Sequence, residues 1–319
     1  MSLVMQMLKK YEDKYLHCQT AKIVSYLMKH NVRCELLFYC ALESTNELYQ
    51  KVVLDGVKIW NYPSRCLNKA DLSVLGVEAE RKILEGSAYL NEEIHDVLAS
   101  GRSVLLNCDT FFLPHRKGEY QKKHEDHWIF VDHYDDIQDQ YVILDDKSNH
   151  VGDFLAYTYC GDLVREAFDH SRRIIKYYQF AAAEDNFKNI LLQRAATYIA
   201  NFEDDGLLFD HIGNLLRSLE PGKILIPESI VSCLNFLSGS RFLTAMFLDY
   251  IGEQDLALTY KQISEETLII RQLMIKFMIS GHCDLPQILW KLDQLKHKEL
   301  TAIVGMKRSV VKGVSQHHS

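Results

Sequence analysis

The chain has 319 residues, enough to bury a sizeable core in one large domain or in two ordinary ones. Its composition, 47% hydrophobic and 25% charged with 5 Pro and 15 Gly, is that of a globular protein and excludes a disordered or fibrous chain. The formal net charge of -7, with no long basic run and no zinc-finger or helix-turn-helix spacing, argues against a nucleic-acid partner.

The first eighteen residues lack the apolar stretch and small-residue cleavage site of a signal peptide. We therefore expect a cytoplasmic protein with no membrane partner. The eight cysteines lie at positions 18, 34, 40, 66, 108, 160, 233 and 283. They include no Cys-x-x-Cys pair, which is typical of reduced intracellular thiols rather than of a disulfide framework.

The first half of the chain mixes two hydrophobic periods. Apolar residues at helical spacing predict helices over 20–30 and 77–101, the second ending at Gly101 as a C-terminal cap. Short runs rich in Val, Ile, Phe and Tyr predict strands at 103–113, 127–136, 140–146 and 172–180. Because these strands follow one another without intervening helices, we expect an antiparallel sheet and an α+β fold.

The second half keeps a period of 3.6 and predicts about five helices, at 186–202, 211–219, 228–252, 264–281 and 285–300. The sequence SEE at 264–266 and Pro286 are read as helix-start signals. We predict a catalytic domain over 1–180, a helical domain over 181–306 that caps a cleft or mediates a homodimer, and a flexible tail over 307–319.

Cys18 stands at the start of the first predicted helix. The first turn of a helix offers unpaired backbone N–H groups and the positive end of the helix dipole, which favour a thiolate. Cys18 shares a helical stripe with Ala21, Ser25 and Met28, which sets the thiol at the border of the buried face. Taken alone, this position favours a plain core cysteine over a nucleophile, because free cysteine is among the most often buried residues.

A thiol nucleophile needs a base, and the base needs a partner that fixes its tautomer. His127 opens the second predicted strand and Asp145 closes the third. If these strands form a hairpin that turns near Asp136 and Ile137, positions 127 and 145 lie opposite one another, since their midpoint is that turn. Cross-strand partners have Cβ atoms within about 5.5 Å, so the spacing predicts a contact between His127 and Asp145.

Other residues compete for these roles. His124 lies in a charged loop and is expected to be solvated, and His133 lies nearer the turn. Asp146 begins the sequence DKSN, which favours turn chemistry, so Asp145 is preferred as the acid. A lone histidine such as His127 is more often a strand-edge residue with a satisfied hydrogen bond than a base.

A zinc site is an alternative chemistry, with Cys108, His115, His124 and His127 as ligands. The ligand types suit zinc, but no pair has the short spacing typical of zinc sites, and we predict no metal. The chain also contains no Gly-rich phosphate loop, no Gly-x-Ser-x-Gly motif and no kinase motifs, which leaves nucleotide and serine-hydrolase chemistries without support.

A cysteine at a helix start, a histidine that opens a strand and an acid that closes the next strand follow the chain order of papain-like enzymes. HCQTAKIVSYLMKHN (17–31), SVLLNCDTFFLPHRKGEYQKKHEDHWIFVDHYDD (103–136) and YVILDD (141–146) also resemble a narrower family, the N-terminal domain of butirosin-biosynthesis protein H. The resemblance covers roughly residues 15–180 and is most specific over 103–146.

This resemblance implies a papain-like fold with an antiparallel sheet and an acyltransferase of antibiotic biosynthesis. Such an enzyme moves an acyl, aminoacyl or peptidyl group from a carrier-protein thioester to an amine. On this resemblance Cys18 is the acylated nucleophile, His127 its base and Asp145 the residue that orients the base. The partners implied are an acyl or peptidyl carrier protein and a small-molecule amine. No further cofactor is implied, because the donor is carried on the partner's phosphopantetheine.

The resemblance also assigns the substrate side of the cleft. Asp109 and Pro114 match the family's Asp and Leu-Pro positions, and His115 stands where the family usually has Tyr. A second departure is His133 with Tyr134, in place of the usual Gly-Tyr. Both departures concern the identity of the substrate more than the nucleophile. When the thiol attacks a carbonyl group, the carbonyl oxygen becomes an oxyanion. This oxyanion is expected to accept hydrogen bonds from the backbone N–H of Cys18 or Gln19 and from the Gln19 amide.

The loop 116–124 collects four basic side chains in an acidic chain: Arg116, Lys117, Lys122 and Lys123. Carrier proteins and phosphopantetheine are anionic, so this loop is a candidate docking site for the donor, although a solvated loop is the more common role. Two other functions remain open. One is a cysteine hydrolase, a peptidase or a thioesterase, with the same three catalytic residues, and the other is a non-catalytic interaction protein.

Overall fold

The computed structural model describes residues 15, 20, 22–24, 27, 32–147, 150–181, 183–219, 226–282 and 284–316, without the side chains at 146, 147, 150–154, 180 and 311–316. The chain divides into two compact units, the first with residues 1–32 and 69–187 and the second with 33–68 and 188–319. The predicted domains are continuous in sequence, whereas segment 33–68 packs with the C-terminal helices. The roles given to those domains stay predictions.

The described part of the first unit contains one six-stranded sheet. Its strands are β1 (Val77–Ile83), β2 (Ser103–Asp109), β3 (Asp126–Asp135), β4 (Gln140–Lys147), β5 (His150–Cys160) and β6 (Ile174–Phe180). The order across the sheet is β1-β6-β2-β3-β4-β5, and each neighbouring pair is antiparallel. The α+β class and the four predicted strands are confirmed, whereas β1 and β5 were not predicted.

The α-helices of the described residues are α1 (Thr45–Leu48), α2 (Lys69–Val74), α3 (Leu90–Ala99), α4 (Gly161–Asp169), α5 (Phe187–Ala200), α6 (Leu207–Arg217), α7 (Glu228–Tyr250), α8 (Gln254–Ser280) and α9 (Leu285–Gln316). Near the N-terminus, the described residues Thr20, Lys22, Ile23, Val24 and Leu27 are helical, in agreement with the first predicted helix. The remainder of that predicted helix lies outside the described residues.

The helix predicted over 77–101 is wrong in its first part, where the chain forms β1 at the edge of the sheet. The Glu, Ala, Arg and Lys residues of this stretch are good helix formers, but backbone pairing with β6 overrides that preference. The helical part is α3, which buries Leu90, Ile94 and Val97 at helical spacing. It ends before Gly101, whose φ of 74° is the left-handed conformation expected of the predicted cap.

Helices α3 and α4 cover one face of the sheet. The core on this face includes Val104 and Leu106 of β2, with Ile129 of β3 and Ile143 of β4. Successive residues of a strand point to opposite faces, so every second residue of β2, β3 and β4 faces this core. That alternation fixes which side chains at the ends of these strands come together.

β3 and β4 form the predicted hairpin with a register shifted by two residues. Phe130 pairs with Leu144, and the same register sets position 129, rather than 127, opposite Asp145. The turn lies at 136–139, slightly later than predicted. A shift of two residues preserves the alternation of side chains, so His127 and Asp145 stay on one face of the sheet.

The second unit contains the five predicted C-terminal helices, here α5 to α9, within the described ranges. The helix start predicted at Ser264 is wrong, because α8 begins ten residues earlier at Gln254. Ser264 is buried inside the helix and its hydroxyl donates to the carbonyl of Ser238 on α7, at 2.8 Å. Helix α9 continues to Gln316, so the tail boundary predicted at 307 falls within a helix.

Helix α7 is the one helix of the described residues that is long and apolar enough to cross a membrane by length and composition. Its most apolar window is 83% buried inside the protein, which is how the core helix of a packed bundle satisfies the same test. Its apolar side chains are therefore part of the hydrophobic core of the second unit.

Candidate active site

One end of the sheet brings three residues of the predicted site chemistry onto a single face. Cys108 near the end of β2 is the direct cross-strand partner of His127 at the start of β3. Asp145 lies near the end of β4, on the same face. All three are buried, with exposed fractions of 0% for Cys108, 4% for His127 and 0% for Asp145.

The predicted contact between His127 and Asp145 is present. Nε2 of His127 lies 2.8 Å from Oδ2 of Asp145. Diagonal neighbours across strands are about 7–8 Å apart at the backbone, a gap that the imidazole bridges. An ionised carboxylate only accepts hydrogen bonds, so Nε2 carries a proton and Nδ1 is the nitrogen that can take one up. The catalytic roles of both residues stay predictions.

His115 reaches the same carboxylate oxygen from the loop after β2. Its Nε2 lies 2.7 Å from Oδ2 of Asp145, and its Nδ1 lies 2.7 Å from the hydroxyl of Tyr159 on β5. The imidazole stacks on Tyr157, with ring centroids 4.2 Å apart. The oxyanion or substrate role predicted for His115 is untested, and its two nitrogens are engaged with Asp145 and Tyr159.

Lys22 is a member of the site that the sequence analysis did not identify. Its Nζ donates to Oδ1 of Asp145 at 2.5 Å, and its side chain is 1% exposed. A lysine four positions after Cys18 was the available signal, because helical residues four apart share a face. The carboxylate that receives it is 123 residues away in the sequence, which no local pattern reveals.

The electrostatics of the cluster keep Asp145 charged. Burial alone raises the pKa of Asp145, because it disfavours the charged form. Electrostatic interactions with His127 and with Lys22, together with hydrogen bonds from both histidines, outweigh burial and hold the pKa of Asp145 well below its usual range. Burial also raises the pKa of the Cys108 thiol and raises the pKa of Tyr159 to about 12, so these two neighbours are neutral near neutral pH.

Cys18 and Gln19, the predicted nucleophile and oxyanion residue, lie outside the described residues. Of the rival residues, His133 is exposed on β3, away from the buried cluster, and the side chain of Asp146 is not described.

His124 forms a second pair, with Asp109. Its Nδ1 lies 2.7 Å from Oδ2 of Asp109, and the other oxygen of that carboxylate accepts the backbone N–H of Phe111 at 2.9 Å. The His124 ring stacks on Phe111 with centroids 4.3 Å apart. The side chain of His124 is 62% exposed, as expected of a solvated residue, and it is also held by this pairing. Asp109 caps the short helix Thr110–Phe112 and holds the loop that leads to His115.

The alternative zinc site has no counterpart in the described part of the chain, where no group of three or more His, Cys, Asp or Glu residues is arranged to hold a metal ion. Its four proposed ligands are instead divided. His115 and His127 bind Asp145, His124 binds Asp109, and Cys108 is enclosed in the sheet's core.

The basic loop is only partly available for docking. Lys117, Lys122 and Lys123 are exposed. Arg116 is not, because its side chain is 16% exposed and its Nε lies 3.8 Å from Oε2 of Glu119. The docking role of all four residues stays a prediction, and the accessible charge of this loop comes from its lysines.

Two comparisons with known proteins bear on this site. Residues 17–146 match the sequence model of a family described as butirosin biosynthesis protein H, N-terminal. The matched range contains Cys18, Lys22, His115, His127 and Asp145, and the resemblance inferred from the sequence is confirmed.

A curated relative from Niallia circulans is 25% identical over 303 residues, which are 92% of this chain and 95% of the relative. Its name is ribostamycin:4-(gamma-L-glutamylamino)-(S)-2-hydroxybutanoyl-[BtrI acyl-carrier protein] 4-(gamma-L-glutamylamino)-(S)-2-hydroxybutanoate transferase. The similarity therefore extends beyond the first unit and includes the helical second unit.

Proposed function

We propose that this protein is a cysteine acyltransferase. It takes an acyl, aminoacyl or peptidyl group from a carrier-protein thioester, holds it on Cys18, and passes it to an amine in natural-product biosynthesis. The relative from Niallia circulans is named as a transferase with a donor on an acyl-carrier protein, and its similarity covers nearly the whole of both chains. That supports an enzyme that uses a carrier-protein donor.

The observation that carries the chemical part of the proposal is the buried pair of His127 and Asp145. The carboxylate fixes Nε2 as the protonated nitrogen, which leaves Nδ1 as the atom that accepts a proton from a nucleophile. A buried imidazole held in one tautomer by an ionised acid is what a general base requires. The order of Cys18, His127 and Asp145 along the chain, with the antiparallel sheet, supports a papain-like arrangement of these groups.

The connection of Cys18 to Lys22 supports its place as the nucleophile. Lys22 is bound to Asp145, and Cys18 precedes it by four residues. Four residues span at most about 14 Å when extended and about 6 Å as a helix. This short separation in the sequence from a residue bound to Asp145 supports Cys18 as the nucleophile.

The proposed reaction has two half-reactions. His127 takes the proton of the Cys18 thiol, the sulfur attacks the thioester carbonyl, and the carbon–sulfur bond to pantetheine breaks as His127 protonates the leaving thiolate. The amine then attacks the acyl-enzyme and gives its proton to His127. The bond to the Cys18 sulfur breaks, and that proton returns to the sulfur. The backbone N–H of Cys18 or Gln19, with the Gln19 amide, is proposed to stabilise each oxyanion, and Asp109 and His115 to shape the substrate side.

The partners, cofactor needs, cellular location and oligomeric state are part of the same proposal. The partners are an acyl or peptidyl carrier protein, which supplies phosphopantetheine, and a small-molecule amine. The protein needs no cofactor of its own and works in the cytoplasm. A homodimer formed through the helical second unit belongs to the same proposal.

Intact-mass analysis of the full chain, mixed with an acyl-loaded carrier protein, tests the proposal. We expect one acyl adduct that is absent in Cys18→Ala and that decays faster when amines are added. Cys160→Ala removes an exposed cysteine of the same unit and is expected to keep the adduct.

The other outcomes separate the remaining functions. An adduct on Cys18 that decays to free acid at the same rate with and without amines identifies a hydrolase. If no adduct forms, and if Cys18→Ala and His127→Ala leave the protein's role in its pathway unchanged, the protein is a non-catalytic interaction partner.

A further inference from the structure

Lys22 is a fully buried cation in the first unit. Its side chain is 1% exposed and its Nζ lies 2.5 Å from Oδ1 of Asp145, which is 0% exposed. A buried charge is retained only where a partner of opposite sign compensates the lost hydration. The carboxylate and the ammonium form such a pair, and the histidines are hydrogen-bonded to the other oxygen.

The two oxygens of Asp145 receive different kinds of donor: one accepts from Lys22, and the other accepts from the two histidines. Oδ1 receives the ammonium of Lys22. Oδ2 receives two donors that can be neutral or charged, His115 and His127. Without the ammonium, the negative carboxylate would favour the uptake of a proton by one of these imidazoles, because an opposite charge close by favours the charged form of a histidine.

The titratable groups that face Asp145 include Lys22 near the N-terminus, Cys108 on β2, the loop residue His115, His127 on β3 and Tyr159 on β5. Cys108 and Tyr159 are neutral near neutral pH, as shown above. Among these five groups, Lys22, Asp145 and the two histidines are the ones that carry or can take up a charge near neutral pH.

We propose that Lys22 is a positioning residue of the proposed active site. Its ammonium neutralises Asp145, so that His115 and His127 remain neutral donors through Nε2 and Nδ1 of His127 stays available as a base. The same bond holds Lys22, which follows Cys18 by four residues in the sequence, at the carboxylate. This inference deepens the proposed function and rests on it for the role of Cys18, whereas the charge compensation is independent of any reaction.

Imidazole nitrogen NMR of the full chain tests the charge state, with the two resonances assigned by His115→Gln and His127→Gln. In the wild-type protein we expect both imidazoles to be neutral near neutral pH, with the proton on Nε2. In Lys22→Met we expect one of the two imidazoles to hold a second proton, on Nδ1, near neutral pH. Its titration midpoint is expected to rise by about one pH unit or more. Lys69→Met, at an exposed lysine of the same unit, serves as the control. Unchanged midpoints in Lys22→Met would overturn the proposal.

A second variant covers the case in which Lys22→Met does not fold, since it leaves a buried carboxylate without its cation. Lys22→Met/Asp145→Asn removes both charges and keeps an amide oxygen that accepts from the imidazoles. We expect this double variant to fold and to unfold at a higher urea concentration than Lys22→Met. If the double variant is no more stable than the single one, the two charges are not coupled and the proposal is wrong.

The two proposals fail in different ways. The histidine titrations need no acyl donor, so they test Lys22 even if Cys18 is never acylated. If Cys18 of the wild type is acylated but the titration midpoints of the histidines are the same with and without Lys22, the acyltransferase proposal is supported and the role proposed for Lys22 is wrong.

Discussion

A buried carboxylate lies in each of the two units, and the two differ in the number of donors that reach them. Asp145 in the first unit accepts hydrogen bonds from Lys22, His115 and His127. Glu299 in the second unit accepts one from Nε of Arg241 at 2.5 Å, and its Oε2 has no hydrogen-bond partner among the described residues. Burial raises the pKa of Glu299 above its usual range despite Arg241, whereas the pKa of Asp145 is well below its own.

Burial outweighs the single donor at Glu299, whereas the three donors at Asp145 outweigh burial. This difference also separates stabilisation from chemistry. Arg241 keeps its charge at every accessible pH, and its Nη1 donates to the carbonyl of Glu43 and to Ser240, which fixes segment 33–68 against α7. The donors to Asp145 include two imidazoles, a group that can both donate and accept protons in catalysis. The proposed catalytic cluster thus differs from this buried ion pair in having histidines as donors to its carboxylate.

The largest expected effect is a loss of acyl-transfer activity when the Asp145 cluster is changed. His127→Gln removes the proposed base and is expected to lower kcat/KM for acyl transfer by about 10²–10⁴-fold. Single-turnover transfer from an acyl-loaded carrier protein measures this. His133→Gln, at an exposed histidine of the same strand, is the matched control and is expected to keep its activity. Equal losses in both variants would remove His127 from its assigned role.

The next effect is a loss of stability when the pair of Arg241 and Glu299 is changed. Arg241→Met strands Glu299 as an uncompensated buried group, and we expect it to lower the free energy of unfolding by about 3–5 kcal/mol. Arg241→Met/Glu299→Leu removes both charges and is expected to recover most of this loss. Urea unfolding measures both variants. A double variant as unstable as the single one would show that the pair does not act as a unit.

The pH dependence of stability tests the depressed pKa of Asp145. A carboxyl whose folded pKa lies below its unfolded value of about 3.9 stabilises the fold above that pH, and this contribution is lost as the pH falls toward the folded value. Each unit of depression corresponds to about 1.4 kcal/mol. We therefore expect the free energy of unfolding to decline less steeply below about pH 4 in Lys22→Met/Asp145→Asn than in the wild type. Urea unfolding at several acidic pH values measures this slope, and equal slopes would contradict the assignment.

The smallest effect concerns the basic loop. Replacing Lys117, Lys122 and Lys123 with glutamate is expected to lower acyl loading from a carrier protein by about tenfold at low salt, and to leave loading from a small thioester unchanged. Arg116 is left in place because it is paired with Glu119. Loading rates with both donors, at several salt concentrations, check this.

A matched control for the loop is the triple glutamate variant at the exposed residues Lys69, Lys188 and Lys276. If it slows carrier-protein loading as much, net charge rather than the loop is responsible. Equal losses with both donors in the loop variant would refute docking.

The sequence by itself determined which residues share a face. Strand side chains alternate with a period of two, so His127 and Asp145 stayed together although the hairpin register differed by two residues from the prediction. The helical period likewise located the five C-terminal helices, because each must bury an apolar stripe. These are local signals, and they hold wherever the element is placed.

Tertiary structure decided what the local signals could not. Strand β1 has the composition of a helix and became a strand only because β6 offers a partner. Segment 33–68 joined the second unit because the carbonyl of Glu43 meets Arg241, 198 residues further along the chain. Lys22 and His115 became neighbours of Asp145 because a buried carboxylate needs donors, and only the folded chain sets which distant donors come within reach.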